Sequence, residues 1–307
     1  MGGRRLHCSV QKSAGSERLS ALDRRGVVLG LGAVAVAAGS ARATADTTSL
    51  RFGLTPVFLT NDLELLDRLR SYLTAACGAP VQLVTRRTYQ EIIALLVSGQ
   101  LDGAWICGFP YVVYRQDLEL VAVPVWQGRP EYRSYLIGHA GREFAAMADL
   151  RGDVHAFSDP DSNSGYLVTR AKLVEEGLAP ENLFRRTFFA YGHRNVIRAV
   201  ASGLAQSGSV DGYVYDVVGE IEPELPRNLA VLRRSEWLGF PPIAAPARET
   251  VPGRTALIRR AFEKMADSAE GRSVLGLLKL DGFVAGSPSL FDGIARKVAL
   301  VGLGGKG

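Results

Sequence analysis

The stretch that decides the fold is Phe157-Ser158-Asp159-Pro160-Asp161-Ser162-Asn163-Ser164-Gly165-Tyr166. Before it, Gly152-Asp153-Val154-His155-Ala156-Phe157 reads as a short strand, and after it Tyr166 to Glu176 carries apolar residues at helix period. The polar run is therefore a strand-to-helix connection. A helix start exposes backbone N–H groups without intrahelical partners and the positive end of the helix dipole. Flanking Ser and Asn side chains add donors, so the run suits a small oxyanion. An ordinary N-cap uses the same residue types, so the run by itself leaves a ligand-free helix start open.

Working outward, strand and helix signals alternate. Ser49 to Leu54 alternates like a strand and stops at Thr55-Pro56. Thr60 or Asn61 can cap a helix from Asp62 whose Leu65, Leu66, Leu69, Tyr72 and Leu73 form one apolar face, ended by Gly78 and Pro80. Val81 to Thr85 is β-rich, Thr88 caps a helix bearing Ile92, Ile93, Leu95 and Leu96, and Leu101 to Ile106 returns as a strand. Leu120 to Trp126 and Tyr132 to Gly138 are further strand-like runs. From Asp149 a second series begins, with Phe184 to Ala190 and Val210 to Asp216 as strands around a helix carrying Val196, Ile197, Val200 and Leu204. Leu229 to Leu232 and Phe240 to Ala245 read as the last strands, followed by helical signals from Pro252 and a segment through Phe283. Such alternation implies α/β lobes with parallel strands and right-handed crossovers. The two series are similar, so a two-lobed chain is expected, crossing between lobes near Gly128 to Tyr135 and again near Trp237 to Ala245.

The N-terminal segment accounts for the charge. Asp23-Arg24-Arg25 precedes an apolar run from Gly26 to Gly39 and then Ala41-Arg42-Ala43, the order of an export signal. Its apolar core of about 14 residues is short of the roughly 20 that span a membrane, and the paired arginines suit the twin-arginine route. A retained anchor is the alternative. Through Ala43 the chain holds seven Lys or Arg against two Asp or Glu, a surplus that equals the formal +5 of all 307 residues. The remainder is near neutral, so the basic footprint of a phosphate-backbone binder disappears and no nucleic-acid partner is expected.

Only Cys77 and Cys107 follow that segment. Cys77 ends a helix that runs back against the strands, about 20 Å from the strand end that carries Cys107, which is beyond disulfide reach. Cys107 is expected free, beyond the carboxyl end of a strand where open α/β sheets gather ligands. A small buried hydrophobe explains it equally well. Cys107, His193 and Asp211 contain the residue types of a thiol triad, but no nucleophile-elbow pattern surrounds the cysteine, and catalysis is not expected. His139, His155 and His193 form no metal-ligand spacing, and no cofactor is expected.

Several segments together resemble the periplasmic phosphate/phosphite/phosphonate-binding family of ABC importers. They are Leu50-Arg51-Phe52-Gly53-Leu54-Thr55-Pro56, Gly99 to Trp105 with Pro110-Tyr111-Val112, Asp159 to Leu167, His193, Ala199 to Gly203, and Val210-Asp211-Gly212. The likeness spans nearly all of the chain after the export segment, and Ser162-Asn163-Ser164-Gly165 is its most specific part. It implies a two-lobed type II periplasmic binding fold, each lobe a mixed, mainly parallel sheet flanked by helices, with the ligand cleft between the lobes. Residues 44–133 with 243–307 would form one lobe, 134–242 the other, and residues 1–43 a signal peptide. The resemblance further implies a monomer exported to the periplasm that delivers a small oxyanion to an ABC permease. The binding set would be Ser162, Asn163, Ser164, Tyr111, His193 and Asp211, joined by Thr55, Tyr89 and Tyr215. Cys107 departs from the small or hydroxyl residue usual in the family. That feature also makes the chain similar to the family's arsenite-binding sensors, in which one thiol bonds arsenic and a histidine kinase reads the result. The oxyanion reading leads, and arsenite with Cys107 as its ligand is the alternative.

Overall fold

The computed structural model describes residues 49–56 and 63–303. The export segment and the expected cap at Thr60 or Asn61 lie outside the described residues. No described helix is long and apolar enough to cross a membrane.

The chain begins with β1 (Leu50–Leu54), α1 (Leu63–Cys77), β2 (Val81–Thr85), α2 (Tyr89–Val97), β3 (Gly103–Trp105), α3 (Gly108–Val113), β4 (Leu118–Val125), β5 (Glu131–Tyr132) and β6 (Ser134–His139). Next come β7 (Val154–Phe157), a π-helical turn (Asn163–Leu167) running into α4 (Val168–Glu175), α5 (Pro180–Leu183), β8 (Arg186–Phe189), α6 (His193–Ala201), β9 (Ser207–Asp211), α7 (Gly212–Ile221) and β10 (Leu229–Arg234). The last elements are β11 (Leu238–Gly239), β12 (Ile243–Pro246), α8 (Arg254–Glu263), α9 (Ala269–Leu278), β13 (Gly282–Val284) and α10 (Asp292–Val301).

These strands form a six-stranded sheet in the order β13-β4-β12-β3-β1-β2 and a five-stranded sheet in the order β10-β6-β9-β7-β8. Parallel pairing is confined to β2-β1-β3 and β8-β7-β9, and the remaining ladders are antiparallel. The two crossings meet as a ribbon in which β5 pairs with β11, Tyr132 opposite Leu238 and Glu131 opposite Gly239. Each sheet is thus made from chain segments that leave and return through one place.

Local sequence explains most elements. Thr88 and Glu91 close a capping box at the start of α2, and Gly78, at φ 65, ends α1 in the left-handed region. Phe52, Ile92, Leu96, Trp105 and Phe262 are buried in the six-stranded half, and the Trp105 indole N–H donates to the Pro241 carbonyl at 2.9 Å. Burial of each such side chain stabilises by roughly 1.5–3 kcal/mol.

Two expectations are corrected. Neither sheet is mainly parallel, because β12 enters antiparallel between β3 and β4 and β6 runs antiparallel between β9 and β10. Val210 to Asp216 is not one strand: β9 ends at Asp211, whose carboxylate accepts the Val214 N–H at 3.3 Å and starts α7. Tyr213 and Tyr215 therefore sit in a helical turn. The alternation Tyr213-Val214-Tyr215 looked like a strand, but the Asp211 cap and the buried Val214, Val217 and Val218 favour a helix. The structure also adds α10, whose Ile294 packs so tightly over Gly108 that a Cβ there would meet it at 2.6 Å.

Candidate functional site

β7 ends at Phe157, and the polar run that follows folds back on itself. The Ser158 N–H donates to the Gly165 carbonyl at 3.1 Å, and the Ser162 hydroxyl accepts the Gly165 N–H at 3.0 Å. A Cβ at residue 165 would collide with Ser158 Oγ, so glycine is what allows the two ends of the loop to close up. Helical structure begins at Asn163, earlier than the expected Tyr166, and its first turn is of the π type. Ser134 Oγ fixes the turn from β6 by donating to the Ser164 carbonyl at 2.6 Å.

The loop presents polar atoms that the fold does not satisfy. Ser158 Oγ, Asn163 Oδ1 and Ser164 Oγ are buried without a hydrogen-bond partner. Ser164 lies near enough to Tyr132 and Asp211 to favour their charged forms slightly, without a well-formed bond to either. A buried, unpaired polar group costs on the order of 1–3 kcal/mol, so three in one loop mark it as the candidate binding surface.

Residues of the six-stranded half and of the crossing ribbon face this loop directly. The Asn163 N–H donates to Cys107 Sγ at 3.2 Å, and its side-chain amide donates to the Tyr132 hydroxyl at 2.9 Å. The Tyr89 N–H donates to Asp159 Oδ2 at 3.3 Å, and the Tyr89 hydroxyl is 3.4 Å from His193 Nε2. The other ring nitrogen of His193 accepts the Asp211 N–H at 3.1 Å. That bond fixes the tautomer, because a backbone N–H can only donate. Burial holds the His193 pKa down at about 3, so the ring is neutral, Nδ1 is the acceptor and Nε2 carries the proton. Nε2–H then donates to the Tyr89 oxygen, and the Tyr89 O–H is free to donate to a guest.

Among the described residues no Lys or Arg belongs to this cluster, which instead holds two carboxyl groups. Burial pushes the Asp159 pKa up to about 6 and the Asp211 pKa up to about 7. Burial likewise raises Tyr89 and Tyr132 well above the ordinary phenol range and Cys107 to about 12, so these remain neutral donors. Any anion here would be held by hydroxyls, amides and a helix start.

The structure brings together Tyr89, Cys107, Ser162, Asn163, Ser164, His193 and Asp211 of the expected residues. Thr55 is buried at the end of β1, and its hydroxyl donates to the Trp105 carbonyl at 3.1 Å. Tyr111 is turned onto Phe291, centroids 4.7 Å apart, because α3 points it at the C-terminal helix region. Tyr215 meets Tyr135 at 5.9 Å, a consequence of lying on α7 rather than on a strand. Tyr132, Ser158 and Asp159 complete the cluster without having been singled out. Tyr132 had a signal, its place in an expected crossing between lobes, where residues border any cleft.

Cys77 and Cys107 are both free and buried. The residue types of a thiol triad do not assemble: Cys107 bonds the Asn163 N–H, and the Asp211 carboxylate bonds the Val214 N–H rather than the imidazole. Among the described residues no group of three or more His, Cys, Asp or Glu is placed to hold a metal ion.

Two sheets of mixed pairing, joined by a double crossing with a polar cluster between them, define a two-lobed type II periplasmic binding fold. The family described as "ABC transporter, phosphonate, periplasmic substrate-binding protein" matches residues 52–291, and the chain belongs to that family. The phosphate-import protein PhnD of Mycolicibacterium smegmatis is 30% identical over 154 residues, which cover 46% of this chain and 48% of that protein. The chain thus spans about half the length of that curated relative. A binding protein component of an ABC phosphonate transporter from Pseudomonas aeruginosa superposes with a TM-score of 0.75 at 22% identity, covering 83% of this chain and 86% of that one. PhnD1 of Prochlorococcus marinus, solved with methylphosphonate, superposes with a TM-score of 0.74 at 15% identity, covering 83% of this chain and 98% of that one.

Proposed function

We propose that this protein, exported by a signal peptide over residues 1–43, captures a small phosphonate-class oxyanion and presents it to the permease of an ABC importer. Residues 44–133 with 243–307 and residues 134–242 would act as two lobes that shut on the ligand about the β5–β11 ribbon. The observation that carries this reading is the pair of unpaired buried hydroxyls on the loop, Ser158 Oγ and Ser164 Oγ, beside Asn163 Oδ1, an acceptor for a ligand oxygen that keeps its proton. Ser164 Oγ, Ser158 Oγ and the free Tyr89 O–H supply hydrogen bonds to anion oxygens, and the Asp211 carboxyl meets an oxygen that still carries its proton. A site so built favours phosphonate, phosphite or phosphate, which retain a proton near neutral pH, over sulfate, which does not.

Arsenite finds less support. Cys107 Sγ is already engaged by the Asn163 N–H and stands alone, since the second thiol, Cys77, belongs to the far end of α1. Calorimetry with methylphosphonate, phosphite, phosphate, sulfate and arsenite tests the reading. Binding of at least one of the first three is expected, with Ser164→Ala weakening it by about 1–3 kcal/mol through a lost charge-assisted bond. Binding of sulfate or arsenite in their place would overturn it.

A further inference from the structure

The inference that follows rests on the cleft-binding reading above. β3 and β7 end opposite each other, and each delivers a side chain that caps a helix belonging to the other half. Cys107 Sγ, just beyond β3, takes the Asn163 N–H at 3.2 Å. Asp159 Oδ2, just beyond β7, takes the Tyr89 N–H at 3.3 Å. Both N–H groups sit at the first helical position, where no intrahelical acceptor exists. The helices' own N-caps do not serve them, because Thr88 Oγ1 bonds the Glu91 N–H and Ser162 Oγ bonds the Gly165 N–H. All four partners, Cys107, Asn163, Asp159 and Tyr89, are buried.

We propose that Cys107 and Asp159 are closure residues: the halves exchange helix caps, and this reciprocal pair of bonds sets binding strength through the fraction of closed molecules, without touching the ligand. When the halves part, each helix start and each acceptor must find water instead. Cys107 thereby has a role that asks nothing of its nucleophilicity, and its long C–S bond suits an acceptor that must reach across a gap. Apparent affinity scales with the competent fraction, so a weakened cap lowers affinity by lowering that fraction.

The test is the rate at which iodoacetamide alkylates Cys107 in the full chain, read by mass spectrometry on its peptide. Native protein is compared with Asp159→Ala and Asp159→Asn, alongside calorimetry and stopped-flow binding of methylphosphonate. The thiol is reachable only when the halves separate, so Asp159→Ala is expected to react about threefold faster than native protein without ligand, in line with a threefold larger open fraction. Its methylphosphonate complex is expected to dissociate faster with little change in association rate. Asp159→Asn keeps one acceptor oxygen and should fall between the two, which supplies the comparison if Asp159→Ala fails to fold. Cys107→Ala should bind about tenfold more weakly, and Cys107→Ser, which retains an acceptor, should recover part of the loss. Equal alkylation rates in native and folded Asp159 variants, or an unchanged affinity in Cys107→Ala, would overturn the proposal. Should the native chain bind no oxyanion at all, the cleft reading fails, while the ligand-free alkylation rates still decide whether the caps hold the halves together.

Discussion

The five-stranded half contains two buried imidazoles, and their surroundings differ in one respect. His155 places Nδ1 2.8 Å from Ser207 Oγ and Nε2 2.9 Å from Ser209 Oγ, and it stacks on Phe184 with centroids 4.6 Å apart. Every one of those partners lies within the same half. His193 bonds the Asp211 N–H of its own half, while its second nitrogen reaches Tyr89 in the six-stranded half. Burial lowers both pKa values to about 3, so neither burial nor titration distinguishes them. What separates a packing histidine from a cleft histidine here is the half that completes its hydrogen bonds.

The largest expected effect follows from breaking the self-contained member. His155→Ala removes a stacked ring and leaves the Ser207 and Ser209 hydroxyls short of a partner, for a stability loss of about 3 kcal/mol. Thermal melting should show this, with methylphosphonate affinity held within about twofold once binding is measured below the melt. His193→Ala should do the reverse. Loss of the bond that orients the Tyr89 hydroxyl should weaken binding by about 2 kcal/mol, roughly thirtyfold, with the smaller effect on melting.

Acid sharpens the same contrast. An unfolded histidine titrates near 6.5, and both rings here titrate at about 3, so their contribution is fully present above about 6.5 and is lost as pH falls toward 3. Asp211 and Asp159, raised to about 7 and about 6, act in the opposite sense: the folded chain takes up their protons before the unfolded chain does, between about 7 and 4. The two pairs offset each other over that window. Below about pH 4 the histidines still titrate differently, joined by Glu91, Asp149, Glu236 and Glu249, whose carboxyls are held below the ordinary range, and stability should drop steeply there. Denaturant midpoints from pH 7 to 3 would show a shallow region followed by a fall, and His155→Gln should reduce that fall. A uniform slope would contradict the assignment.

The smallest effects belong to the two tyrosines that the fold turns away. Tyr111→Phe and Tyr215→Phe should each change methylphosphonate binding by less than about 0.5 kcal/mol in calorimetry, because their rings meet Phe291 and Tyr135 rather than the cluster.

Much of this was legible in the residues. The capping box of α2, the apolar face of α1, the strand ahead of Ser158 and the cap-rich start at Ser162 are local signals, and local physics decides them. Elements decided by distant packing were not. The aromatic and β-branched run at Tyr213 to Tyr215 has strand periodicity, yet a carboxylate cap and three buried valines make it a helix. α10 carries only two fully buried apolar residues, Ile294 and Val298, a thin stripe that gives little sequence contrast. At the site, polar residues inside the loop were visible as a run, whereas Tyr132 enters through the pairing of β5 with β11, which only the tertiary fold brings about. The packing of Tyr111 on Phe291 was equally hidden, since a tyrosine beside a strand end has two sides to choose from.

A crystal structure of the full chain grown with methylphosphonate would decide where the anion sits. The phosphonate is expected between the two halves, with anion oxygens within hydrogen-bond distance of Ser164 Oγ, Ser158 Oγ and the Tyr89 hydroxyl, and with Asn163 still bonded to Cys107. A ligand lodged elsewhere, or one bound through the Cys107 sulfur while the serine hydroxyls stay unpaired, would contradict this placement.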